Sequence, residues 1–175
     1  MFKNDIKAQD NRKGYVGLSG GHAFMLKNER GLFDNGIGLG INFGYLMTNY
    51  VGINVSIFRT NFNFSFPYPP ISVGLTGILA GPLFTITETG KVEFDFRPAA
   101  GYANGKLLGA TSNESVIVWN STLALGIGGS VRWNCCNRVS LSVNLDYYYG
   151  NPKNSLERMN LSSFGVSLGV NYRIK

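Results

Sequence analysis

Long apolar runs are missing from this chain of 175 residues. No stretch approaches the run of roughly 18 apolar residues that a membrane-crossing helix needs, which argues against a helical membrane protein. Charge is sparse as well, at 15% of residues, and the net charge of +6 comes from scattered bases. These gather only in small clusters, at Lys3, Lys7, Arg12, Lys13 and at Lys27, Arg30. No basic helix or aromatic–basic stacking motif accompanies them, so nucleic acid is not an expected partner. A diffuse positive periphery suits anionic lipid headgroups better.

Cysteine is limited to the adjacent pair Cys135-Cys136, which lacks the spacing of a zinc site or a redox motif. The pair reads as small turn residues. Histidine occurs once, at His22. A hydrolase or acyltransferase needs an activated nucleophile with a base and an acid, and no such set surrounds His22. No enzyme activity, catalytic residue, metal or cofactor is therefore expected. Gly36-Ile37-Gly38-Leu39-Gly40 is glycine-rich, but no helix pattern follows it, so it fails as a dinucleotide fingerprint.

What the chain does contain is glycine (23 residues), aromatics (13%) and period-two alternation. From Ser163 to Ile174 one face reads Phe164, Val166, Leu168, Val170, Tyr172, Ile174, and the other Ser163, Gly165, Ser167, Gly169, Asn171, Arg173. Segments at Val139–Tyr149, about Trp119–Trp133, Val92–Ala103, Ile37–Tyr45 and Val51–Ile57 alternate in the same way. Two more, about Gly14–Phe24 and Leu75–Ile86, are blurred; the second carries Pro82 and places Leu79 and Leu83 on its inner face. Strands of about 10 residues or more exceed the usual globular length of about 5 or 6 and match a membrane crossing.

The connections alternate between short ones (near 47–49, 87–91 and 134–137) and longer polar ones (about 25–35, 64–73, 106–118 and 150–160). That segregation predicts an all-β, eight-stranded antiparallel up-and-down transmembrane β-barrel over residues 14–175, preceded by a polar segment, 1–13. A soluble, lipocalin-like ligand-binding barrel is the alternative from another class, and it would need an apolar inside and a polar outside. Met1–Lys13 has no apolar signal core, and export of such a barrel implies that a signal peptide was removed.

Tyr102, Trp119, Tyr147 and Tyr149 fall beside long connections, whereas Tyr45, Trp133 and Tyr172 fall beside short ones or the C-terminus. Two aromatic girdles at two interfaces are expected. The inward faces carry Glu93, Asp95 and Asp146 against Arg97, Arg132 and Arg173. In so narrow a lumen these six predict an ion-pair network that plugs the barrel; a narrow channel for ions or small apolar solutes is the alternative. Phe62, Phe64 and Phe66 alternate ahead of Pro67, which fits a stiff loop cap best, or else an extension of the third strand as a protruding edge able to bind an extracellular partner by strand addition.

The closing segment Ser167–Ile174, with Tyr172 and Ile174 at alternate positions, resembles the assembly signal of outer-membrane barrels, although Lys175 follows it. With Tyr15–Gly21 and Arg97–Tyr102, the span from Gly14 to Lys175 resembles the small outer-membrane β-barrel family of OmpA/OmpX type. The resemblance implies a cell outer membrane location, contact with outer-membrane lipids and insertion by the barrel-assembly machinery. The role expected is structural, surface-interacting or of minor permeability.

Overall fold

The structure is a computed structural model that describes residues 14–26, 34–64, 71–87, 91–109, 116–118, 122–150 and 161–174. Eight long strands carry the fold: β1 (Gly14–Leu26), β2 (Asp34–Leu46), β3 (Val51–Phe64), β4 (Ile71–Thr87), β5 (Val92–Gly109), β7 (Thr122–Trp133), β8 (Val139–Gly150) and β9 (Leu161–Ile174). A three-residue strand, β6 (Val116–Val118), lies beside the end of β5. Every pairing is antiparallel, and β1 joins β9 while β4 joins β5, so the eight long strands form a closed barrel. Closure satisfies the backbone groups between strands, the condition for crossing hydrocarbon with β-structure.

Alternation sets which side chains face where. On β7, Leu123, Leu125, Ile127, Val131 and Trp133 point outward and exposed, while Ala124, Gly126, Gly128, Ser130 and Arg132 point inward and buried. The same polarity holds on β9, where Leu168 is 70% exposed and Asn171 and Arg173 are buried. Each such apolar side chain loses about 1.5–3 kcal/mol if left in water, so a continuous outward belt is stable only against lipid. This polarity overturns the lipocalin-like alternative.

The blurring of β4 has a physical reason. On β4 the inward residues Val73, Leu75, Leu79 and Leu83 are all buried, so both faces are apolar and alternation disappears from the sequence. The β4–β5 ladder runs from Ile71 to Ala80 and resumes at Phe84; Pro82 and Pro98, neither with an N–H, stand opposite each other in the gap. The segment expected from about Trp119 to Trp133 is corrected to β7 from Thr122, with β6 separate. Ala103 pairs with Thr122, but Lys106 pairs with Val118, one residue out of step, and a single alternation cannot run through such a slip. Trp119 and the polar segment 1–13 lie outside the described residues, as do 65–70 of the aromatic, proline-rich connection.

The extension of β3 beyond Phe64, with Phe66 and the prolines, lies outside the described residues, and Phe62 itself stands inside the barrel wall. Phe62 is paired on both sides, with Gly36 of β2 and Val73 of β4, and its ring is wholly buried in the barrel. An unpaired edge is absent there. The link between β2 and β3 is tightened by Thr48, whose Oγ1 accepts from the N–H of Val51 at 3.0 Å. Cys135 and Cys136 are exposed free thiols in the link between β7 and β8.

Candidate functional site

The lumen is filled in two tiers. The tier nearer the short connections is polar and built around Arg132 of β7. Its Nε lies 2.7 Å from Asp95 Oδ2, its Nη2 donates to Asp95 Oδ1 at 3.0 Å, and Nη2 also lies 2.9 Å from Glu93 Oε2. Glu93 and Arg132 face each other directly in the β5–β7 register, the same height expected from the sequence. Asp95 accepts further bonds from Thr85 (2.7 Å) and Ser130 (3.1 Å), and Asn134 donates to Glu93 at 2.9 Å. The guanidinium of Arg132 also lies over the ring of Tyr15, 4.1 Å from its centroid, reaching across the interior to β1.

Arg97 forms the second ion pair, with Asp146 at 3.2 Å. Those residues belong to β5 and β8, and β7 runs between them. Gly128 of β7 makes the crossing feasible: a Cβ there would stand 2.5 Å from Asp146 Oδ1 and 3.2 Å from Arg97 Nε. Arg173 is buried in the same tier. Asn42, Ser56 and Asn54 continue the polar lining as a chain of hydrogen bonds, 2.7 Å from Ser56 to Asn42 and 2.8 Å from Asn54 to Ser56.

The tier nearer the longer connections is apolar; the sequence reading placed Leu79 on an inner face but missed the tier as a whole. Ala23, Met25, Phe58, Phe62, Val73, Leu75, Leu79, Ala103 and Ala124 form one buried cluster, with Tyr148 packed against it. Phe58 and Tyr148 stack face to face, ring centroids 3.9 Å apart and planes 4° from parallel. Small residues seat these rings: a Cβ at Gly77 would meet the Phe58 ring at 2.6 Å, and one at Gly126 would meet Leu79 at 2.6 Å. The available signal was the pairing of inward bulk on β3 and β4 with inward glycine on neighbouring strands. The polar lumen expected from the sequence is thus correct for one tier only. A cavity of about 30 Å³, bordered by Phe58, Tyr148, Asp146 and Thr60 and reaching the glycine-rich wall at Gly21 and Gly38, has room for one or two waters.

On the outside, Tyr45, Tyr102, Trp133, Tyr149 and Tyr172 are exposed, and Tyr147 is half-buried. Tyr45, Trp133 and Tyr172 end their strands at the short-connection side; Tyr102 and Tyr149 stand toward the other. His22 faces outward, and its register partners are Ile37 and Val166.

A closed eight-stranded barrel with an apolar exterior and an interior filled by one charge-paired tier and one apolar tier is a transmembrane β-barrel. The chain has the fold of the small eight-stranded outer-membrane β-barrels. It is similar in structure to Neisserial surface protein A (TM-score 0.68, 17% identity, covering 92% of this chain and 97% of that one). It is also similar to Ail, the attachment invasion locus protein of Yersinia pestis (TM-score 0.57, 20% identity, 93% and 99% covered). The N-terminal β-barrel domain of Pseudomonas aeruginosa OprF is a third match (TM-score 0.54, 15% identity, 93% and 98% covered). No family model and no curated protein sequence matches the chain.

Proposed function

We propose that this chain is a non-enzymatic integral protein of a cell outer membrane whose lumen is closed, and which works through its lipid-facing and external surfaces. The observation that carries this reading is the double closure of the interior, by the Phe58–Tyr148 stack and by Arg132 with Asp95 and Glu93. The Phe58–Tyr148 stack joins opposite strands, β3 and β8, whereas Arg132 and its two carboxylates sit on the neighbouring β7 and β5 and reach across the bore to Tyr15 of β1. In this reading Glu93, Asp95, Arg97, Arg132, Asp146 and Arg173 plug the barrel rather than pass ions. The tyrosines and Trp133 hold it at the two interfaces. His22 points outward between Ile37 and Val166, on the wall and away from the paired charges of the interior. The longer connections face the outside, as such barrels orient, and offer the surface for a partner; export and insertion by the barrel-assembly machinery belong to the same proposal.

Planar-bilayer recording with refolded protein tests it. No unitary current is expected from the parent chain. Reproducible current steps would replace this reading with that of a narrow channel.

A further inference from the structure

We infer that the outer wall of this barrel carries a binding site for the phosphorylated headgroup of an outer-leaflet lipid, formed by Arg59, Asn61, Thr76, Asn104 and Lys106. The inference rests on the transmembrane reading above and names a lipid class for one patch of its surface. Three adjacent strands change character between consecutive register rows. Ile57, Ile78 and Tyr102 stand in one row across β3, β4 and β5, and all three are exposed apolar residues. In the next outward row stand Arg59, Thr76 and Asn104; in the one after, Asn61, Gly74 and Lys106. Apolar wall thus gives way to donors and cations within one step.

Arg59, Asn61, Gly74, Thr76 and Lys106 line an open groove of about 650 Å³, together with Ile37, Ser72, Asn35 and His22, and Asn104 stands beside it in the row of Thr76. Gly74 forms its floor: a Cβ there would stand 3.1 Å from Asn61 Oδ1, so the missing side chain leaves a notch between Asn61 and Lys106. Among the described residues no acidic side chain lines the groove, and neither Arg59 nor Lys106 has an ion-pair partner. Two cations that lack an ion-pair partner among the described residues, with neutral donors between them, complement a phosphate. The contrast with the interior is sharp, since Arg97 and Arg132 are both paired there.

Height agrees with a headgroup. At about 3.3 Å per residue and a tilt of about 40°, Arg59 stands about 20 Å above Val51 along the barrel axis, near the top of an apolar band about 25 Å tall. Lys106 stands higher. Arg59 can lay its methylenes on the belt and lift its guanidinium into the headgroup layer, where it binds phosphate through two parallel N–H bonds. The acyl chains of the same lipid then lie on Ile57, Ile78 and Tyr102. A soluble polyanion lacks those chains and gains nothing from the apolar row.

The test uses the full chain refolded in zwitterionic detergent, with native mass spectrometry counting bound lipid. The probes are a bisphosphorylated lipid A, the same glycolipid without its phosphates, inorganic phosphate and heparin. The parent is expected to retain the phosphorylated glycolipid, and R59Q/K106Q to bind it about tenfold more weakly or worse. K91Q, at the other end of the barrel, should leave binding unchanged. Equal affinity in parent and R59Q/K106Q overturns the site, as does equal retention of the dephosphorylated glycolipid. Tighter binding of heparin or inorganic phosphate than of the lipid overturns it too. Heat-modifiable gel mobility separates the two levels of failure. A folded, boiling-sensitive barrel that ignores the phosphorylated lipid loses only this site, whereas a chain with no folded form in detergent removes the membrane-barrel reading itself.

Discussion

Phe58 and Tyr148 stack with their centroids 3.9 Å apart, although β3 and β8 lie four strands from each other in either direction around the barrel. Rings from opposite walls that meet in parallel leave no path between them. The stack is therefore a lid across the bore, and its loss has a specific consequence. F58A/Y148A should empty the apolar tier yet conduct nothing in planar bilayers, because Arg132, Glu93 and Asp95 still close the tier beneath. F58A alone should lower folding stability by about 3–5 kcal/mol, as for other buried Phe→Ala changes, read from urea unfolding in lipid vesicles. Current from F58A/Y148A would show that the polar tier is not a second seal.

Arg132 holds two carboxylates at once, Asp95 and Glu93, so the polar tier depends on it. R132A leaves Glu93 and Asp95 buried without their shared counter-charge and should destabilise the folded barrel by about 3–5 kcal/mol. R132K keeps the charge but loses the two-point contact with Asp95, and should fall between parent and R132A. Unfolding midpoints in the same vesicles rank the three. An R132A barrel as stable as the parent would mean that the pairs contribute nothing net.

Gly128 is where the Arg97–Asp146 pair crosses β7. G128A places a methyl 2.5 Å from Asp146 Oδ1, a contact that forces the carboxylate or the guanidinium aside. The expected cost is about 1–3 kcal/mol. A double-mutant cycle identifies the cause. With D146A already present, G128A should cost measurably less, giving a coupling of at least about 0.5 kcal/mol. Additive effects would place the cost of G128A elsewhere.

The eight strands were legible because lipid imposes a stricter alternation than water does. On β9, outward Phe164 to Ile174 and inward Ser163 to Arg173 separate without exception, and the Glu93–Arg132 pair follows from register alone. The apolar tier was hidden for the opposite reason. Leu79 and Leu83 can be assigned to the inner face of β4 from the sequence, but with Val73, Leu75 and an outer face that is also apolar the alternation blurs and gives no sign that the inward residues form a tier. Phe58 and Tyr148 sit on strands that are distant in sequence and opposite in space, and alternation carries no information about which inward residues meet across a bore. Arg59 escaped notice because a single base at the rim of an outward row breaks the alternation as a strand end would.

Trp133 provides a direct reading of interfacial depth. It is 56% exposed at the last residue of β7, beside the short link to β8. In a W119F background its emission should be quenched more by bromines near the glycerol region than by bromines deep in the acyl chains, because indole rings settle at the headgroup level. Stronger quenching from the deep positions would move the lower edge of the belt and the girdle with it.

Leu168 and Ile174 lie on the same outward face of β9, one midway along the strand and one at its end. If lipid covers this face, the cost of a charge must depend on depth. L168R should destabilise the barrel by about 2–4 kcal/mol and I174R by about 0–1 kcal/mol, measured by reversible urea unfolding in vesicles. The two substitutions add the same side chain to the same strand, so intrinsic strand preference cancels in the comparison. A barrel standing in water would favour both changes for solubility and show no gradient. Equal small effects at the two positions would therefore remove the lipid-facing assignment of the belt, whatever the mobility of the protein on gels.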